Sequence, residues 1–141
     1  MASCLLAAGC YTANAQLVID WQQCDTGDLD LEAKDLVEID NCQSFFVIST
    51  YEKYDPAFPP DYASDDIQLR KLDKYGQLIW YKMYGGSHED AANRLLYNQK
   101  GEFFVIGSSY SSDGDISNDL YPSSTDMWII KTDTSARIIW N

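Results

Sequence analysis

The chain repeats itself at a period of about sixty residues. Trp21, Trp80 and Trp140 stand 59 and 60 positions apart, and the sequence between successive tryptophans overlays with little gapping. Phe45-Phe46-Val47-Ile48 recurs as Phe103-Phe104-Val105-Ile106. Asp66-Ile67-Gln68-Leu69-Arg70-Lys71-Leu72-Asp73 recurs as Asp126-Met127-Trp128-Ile129-Ile130-Lys131-Thr132-Asp133, and Leu78-Ile79-Trp80 recurs as Ile138-Ile139-Trp140. A fixed period of this length means one supersecondary unit copied, each copy needing a neighbour to bury its apolar faces.

Each copy contains four strand-like runs. Segments 44–51, 66–72, 102–110 and 126–132 are rich in β-branched and aromatic residues. Segments 77–83 and 137–140 supply a further run, which 17–23 also matches, and 36–39 and 93–97 supply the first. Asp73-Lys74-Tyr75-Gly76 and Gln99-Lys100-Gly101 carry tight-turn chemistry, with glycine where a positive φ is wanted. A rival reading opens a helix at Ser87, with Ala91-Ala92 and Leu95-Leu96 on its face. The repeat weighs against it, because β-branched Val37 and Ile39 fill the matching slot.

Four antiparallel strands recurring in this way describe an all-β, β-propeller-like chain of about two four-stranded blades. A solenoid or a two-sheet sandwich is the alternative. Residues 16–80 form the first repeat and 81–141 the second. Phe46, Ile48, Phe104 and Ile106 are expected to be buried at matching sites, together with Trp80 and Leu95. Propellers close with 4–8 blades, so two would leave open edges and apolar faces. Ile138-Ile139-Trp140-Asn141 stops partway through the motif that continues as Trp80-Tyr81-Lys82-Met83 in the preceding copy. The expectation is a fragment of a larger propeller, completed by further blades or by self-association.

Residues 1–15 carry no charge and read as the remnant of an export signal. Leu5-Leu6-Ala7-Ala8-Gly9 is its apolar core and Ala13-Asn14-Ala15 its cleavage site. Leu6-Ala7-Ala8-Gly9-Cys10 also reads as a lipoprotein signal, with a lipid anchor at Cys10. Both place the protein outside the cytoplasm, extracellular or on the outer cell surface, with the periplasm as the alternative. No segment approaches the ~20 apolar residues of a membrane span. The net charge of −12 repels phosphate backbones and disfavours nucleic-acid partners. Cys24 and Cys42 survive cleavage, either bridged or as two small buried residues.

The second repeat resembles the sixty-residue repeats of exported Bacteroidota proteins, many of which are cargo of type IX secretion. The resemblance rests on Trp80-Tyr81-Lys82, Tyr84-Gly85-Gly86-Ser87, Asp90-Ala91 and Gly101-Glu102-Phe103-Phe104-Val105-Ile106-Gly107-Ser108-Ser109. Ser111 with Asp113-Gly114-Asp115, and Asp126-Met127-Trp128-Ile129-Ile130-Lys131, complete it. It covers residues 76–140 well and 17–75 in outline; the first copy has Asp25-Thr26-Gly27-Asp28 for the Gly-Gly-Ser turn. What the resemblance implies is location and fold, not chemistry.

An antiparallel meander sends its short turns to one end and its long connections to the other. Segments 25–32, 52–65, 85–90 and 111–125 are the long ones, so they project together. They carry Asp65, Asp90, Tyr54, Tyr62 and Tyr121 among many carboxylates. Long loops on a rigid scaffold are the usual seat of binding, and an acidic, aromatic face suits a glycan or a cationic protein partner. Asp113, Asp115, Ser117 and Asp119 place oxygen donors at alternate positions on a glycine-bearing loop, as a Ca²⁺ site requires. The alternative is a loop of Asx turns. His88 is the only histidine, so no multi-histidine zinc site forms, and no Gly-x-Ser-x-Gly elbow occurs. The expected function is an exported binding scaffold and not an enzyme. The alternative is part of a propeller-type glycoside hydrolase using loop carboxylates.

Overall fold

The computed structural model describes residues 4–8, 19–24, 30–53, 64–116 and 124–141. Among them there is no helix; every regular element is a strand. A first sheet contains β3 (Leu31–Ile39), β4 (Ser44–Lys53), β5 (Ser64–Asp73) and β6 (Leu78–Tyr84) in chain order. A second contains β7 (Asp90–Tyr97), β8 (Glu102–Ser109), β9 (Asp126–Asp133) and β10 (Ile138–Trp140), also in chain order. All neighbouring strands are antiparallel. The helix considered for 87–96 is instead β7. The sheet boundary falls after Tyr84, because the tryptophan that marks the sequence period lies inside β6. Ile19–Cys24 (β2) does not join either sheet as a fourth-type strand; its ladder partner is the apolar run Cys4–Ala8 (β1).

The repeat extends to the irregularities. A register shift between Ala33 and Asp35 recurs between Ala92 and Arg94, and one opposite Lys71/Leu72 recurs between Ile138 and Trp140. The third-to-fourth turns match bond for bond. Asp73 Oδ1 accepts the N–H groups of Tyr75 (2.8 Å) and Gln77 (2.9 Å), as Asp133 Oδ1 does those of Ser135 (2.8 Å) and Arg137 (3.0 Å). This geometry needs a left-handed residue before the strand resumes. Gly76 supplies it at φ 78°, whereas Ala136 must hold φ 61° against its own Cβ. The first-to-second turn of the first sheet is more strained, with Asp40, Asn41 and Cys42 all at positive φ. Cys42, there, is disulfide-bonded.

The two sheets pack through unlike faces. Side chains alternate across a strand, and directly paired residues share a face. In the first sheet Val37, Phe46, Lys71 and Trp80 form one cross-strand row, and Ile48 pairs with Leu69 in the next. This face meets the opposite face of the second sheet, the one carrying Leu95, Phe103, Val105 and Ile130. The ring centroids of Phe46 and Phe103 are 4.2 Å apart, and both side chains are fully buried. Polar bonds cross the seam: the Ala92 N–H donates to Thr50 Oγ1 (3.1 Å), the Leu95 N–H to Asp35 Oδ2 (3.0 Å) and the Tyr84 hydroxyl to the Ala136 carbonyl (2.9 Å). Burial pushes the Tyr84 hydroxyl well above a phenol's ordinary pKa.

This packing corrects the expected core. Phe46, Ile48 and Leu95 are buried, but Phe104 and Ile106 are only half-buried and Trp80 lies partly exposed at the rim. The buried residues of β8 are Phe103 and Val105. The reason is directional stacking. The second sheet covers the Phe46 face of the first, while no described segment covers the equivalent Phe104 face of the second.

Candidate functional site

The order of strands places connections 40–43, 74–77, 98–101 and 134–137 at one end of both sheets. Connections 54–63, 85–89 and 110–125 leave from the other end. The Tyr110 N–H donates to the Glu89 carbonyl (2.8 Å), and the Glu52 N–H donates to the Asp30 carbonyl (3.0 Å) at the equivalent place. Both sheets therefore present their long loops from a like-built shoulder.

In the second repeat that shoulder is a docked pair of loops. The Gly-Gly-Ser crossover supplies donors and the Asp-Gly-Asp loop supplies acceptors. Asp113 Oδ1 accepts the Ser87 N–H (2.8 Å), Asp115 Oδ2 accepts the Gly85 N–H (3.3 Å) and the Asp115 N–H returns a bond to the Gly85 carbonyl (3.0 Å). Ser111 Oγ accepts the His88 N–H (2.9 Å) and donates to Asp90 Oδ2 (2.9 Å), which also takes the Gly86 N–H (2.8 Å). Gly114 makes the close approach possible. Its φ is +67°, and a Cβ there would sit 2.3 Å from the Gly85 carbonyl oxygen.

This network assigns local work to residues that the sequence offers as ligand contacts. Asp90 is fully buried and clamps Gly86 to Ser111, so it lies beneath the loop face and not on it. Its Oδ1 has no hydrogen-bond partner among the described residues. Of the four oxygen donors considered for Ca²⁺, Asp113 and Asp115 each hold a backbone N–H. Ser117 and Asp119 lie outside the described residues, as do Tyr54, Tyr62 and Tyr121. Among the described residues no three carboxylate, histidine or cysteine side chains converge as a metal would require. His88 is exposed, hydrogen-bonded to Ser87 Oγ (2.8 Å) and edge-on to Tyr110 at 5.5 Å.

The electrostatic centre of the loop end is Asp65, at the start of β5. Its carboxyl is held above the ordinary value of 3.8, first by burial and then by the charges of Glu52, Glu89, Asp66 and Glu32. Five carboxylates from both sheets and their connections thus share one region. Lys34 compensates Glu32 at 2.7 Å, and cationic groups supplied from outside relieve such crowding further. Asp65 is legible in the sequence as a loop-end acid; that Glu89 of the second repeat bears on it is not, because the approach is set by the seam.

The opposite end holds a cleft that sequence reading does not anticipate. It is about 660 Å³ in volume and lies along the seam between Trp80, Tyr81, Lys71 and Lys82 on one side and Tyr97 and Ala136 on the other. The sequence feature that points toward it is Trp80 in the last strand of the first repeat, beside the short-turn end.

Comparison with protein-family models, with curated proteins and with solved structures returned no match.

Proposed function

We propose that this protein is an exported or cell-surface scaffold of β-propeller-like repeats that binds a cationic protein partner through its acidic loop end. The observation that carries the reading is the crowding of Glu32, Glu52, Asp65, Asp66 and Glu89, with the Asp65 carboxyl held above its ordinary value first by burial and then by its neighbours' charges. Cations relieve that repulsion and a neutral sugar does not. The exposed His88–Tyr110 pair beside the docked loops supplies an aromatic contact at the same shoulder. The uncharged, apolar beginning of the chain supports export.

Titration with an oligolysine peptide and with a panel of neutral oligosaccharides tests the reading. Expected is binding of the polycation that weakens as salt rises to ~0.2 M, since surface charge is screened over about a Debye length. Asp65→Asn with Glu89→Gln should weaken it severalfold. Equal affinity in that double variant, or preference for the neutral sugars, would overturn the cationic reading.

A further inference from the structure

We propose that the outer face of the second sheet is a docking surface for one further four-stranded repeat of the same kind. The incoming unit places a ring equivalent to Phe103 against Phe104 and carries an acceptor, not a cation, opposite Arg94.

The observation behind this is a side-chain constellation built twice. In the first sheet the ammonium of Lys71 lies 5.6 Å from the Phe46 ring centre, and Trp80 meets the same ring edge-on at 5.5 Å. In the second, Lys131 lies 5.7 Å from Phe104, and Trp140 meets that ring at 6.1 Å, again edge-on. The register is the same, with Lys131 paired to Phe104 and to Trp140. In the first sheet the next repeat closes the constellation by laying Phe103 on Phe46. In the second sheet the same row ends in Leu96, which is 52% exposed, and Trp140, 47% exposed. The built face is continuous in kind with the seam already formed, and that seam shows what covers it. Stacking of unlike faces is heterologous, so each unit buries one face and offers the next.

The polar anchors refine the partner. Thr50 takes the Ala92 N–H across the existing seam, and Ser108 stands at the equivalent position with a hydroxyl of its own. Asp35 takes the Leu95 N–H and sits 3.7 Å from the Arg94 guanidinium. In register Arg94 is the equivalent of Asp35; its guanidinium reaches back toward Asp35, and it has no acceptor to give the next unit. A unit bearing arginine there would meet like charge; a unit bearing a carboxylate would reverse the pair.

A second copy of this chain is the lesser occupant. Its first sheet's outer face, with Phe45 and Val47, is already at 5% and 4% exposure. Among the described residues the face it offers with the same constellation is the Phe104 face again, like against like.

The test extends the full chain by repeating residues 81–140 once after Trp140, with Arg94→Glu in the added copy alone. The expected result is a monomer that unfolds in one transition, with a Tm raised by about 5 °C or more. Leu96→Asp in the original repeat should remove that gain, while in the 141-residue chain it should move Tm by less than about 2 °C, as for an exposed site. Phe104→Asp is the second variant and should act in the same sense. Two separate transitions, or a Tm unchanged by the added repeat, would overturn the proposal. So would a 141-residue chain that sediments as a dimer and is split by Leu96→Asp, since the face would then belong to a second copy. These readouts are stability and mass, independent of any ligand at the loop end.

Discussion

Phe46 and Phe104 occupy one position in two successive sheets, with a lysine above the ring and a tryptophan at its edge in both. Phe46 is fully buried and Phe104 is not. Nothing in their own strands accounts for the difference; it lies in whether another sheet presents its opposite face. Burial in a repeat array is a property of the neighbour as much as of the residue. The third-to-fourth turns teach the converse lesson. Gly76 and Ala136 share one hydrogen-bond pattern and one left-handed backbone, yet Ala136 is additionally held from outside by the Tyr84 hydroxyl. A neighbour can also maintain a conformation that the local residue disfavours.

The largest expected contrast is between the two phenylalanines. Phe46→Ala opens a cavity against Phe103 and should cost about 3–5 kcal/mol. Phe104→Ala forfeits mainly its edge contact with Trp140 and the overlying Lys131, about 1 kcal/mol. Chemical denaturation of both variants measures the gap. Equal losses would mean that the Phe104 face is covered as well, and the comparison would fail.

The turns should separate next. Gly76→Ala adds a Cβ at φ 78° and should cost about 1 kcal/mol, the left-handed penalty of ~1–2 less the entropy the unfolded chain no longer has. Ala136→Gly relieves the same strain but loses a buried methyl and frees the unfolded chain, leaving stability within about 0.5 kcal/mol of the parent. A gain as large as the loss at Gly76 would show that the Tyr84 bond contributes nothing to holding the turn.

How far these contrasts could be read from the sequence differs by level. Strands, turns and the four-strand unit are legible because β-branched runs alternate with Asp, Asn and Gly punctuation at a fixed period. The side of β8 that faces the core is not. Phe103-Phe104-Val105-Ile106 is apolar on both faces, so alternation offers no inside and outside to choose between. In β4 all four equivalents are buried, which is what a strand covered on both faces looks like. The loop end was legible in its acidity but not in its wiring. Asp113 meets Ser87 across 26 positions, and Asp90 reads as one exposed acid among many until its burial is seen.

The smallest expected effect lies at that end. Because the Asp65 carboxyl is held above 3.8 in the folded chain, protonation favours folding. That contribution is present in full below about 3.8 and is lost as pH rises through the raised value. Asp65→Asn should therefore stabilise the protein at neutral pH by less than about 1 kcal/mol, since the site is partly solvated. The gain should close as pH falls toward 3.8. A destabilised variant at neutral pH would mean that Asp65 makes a bond outweighing its acidic neighbours.

The central claim is that successive sheets stack through unlike faces, and ring-to-ring NOEs between selectively labelled phenylalanines test it most directly. The account predicts strong cross-peaks between Phe46 and Phe103, whose ring centres are 4.2 Å apart, and none between Phe46 and Phe104. Cross-peaks joining Phe46 to Phe104 instead would mean that like faces meet in a closed sandwich, and would contradict it.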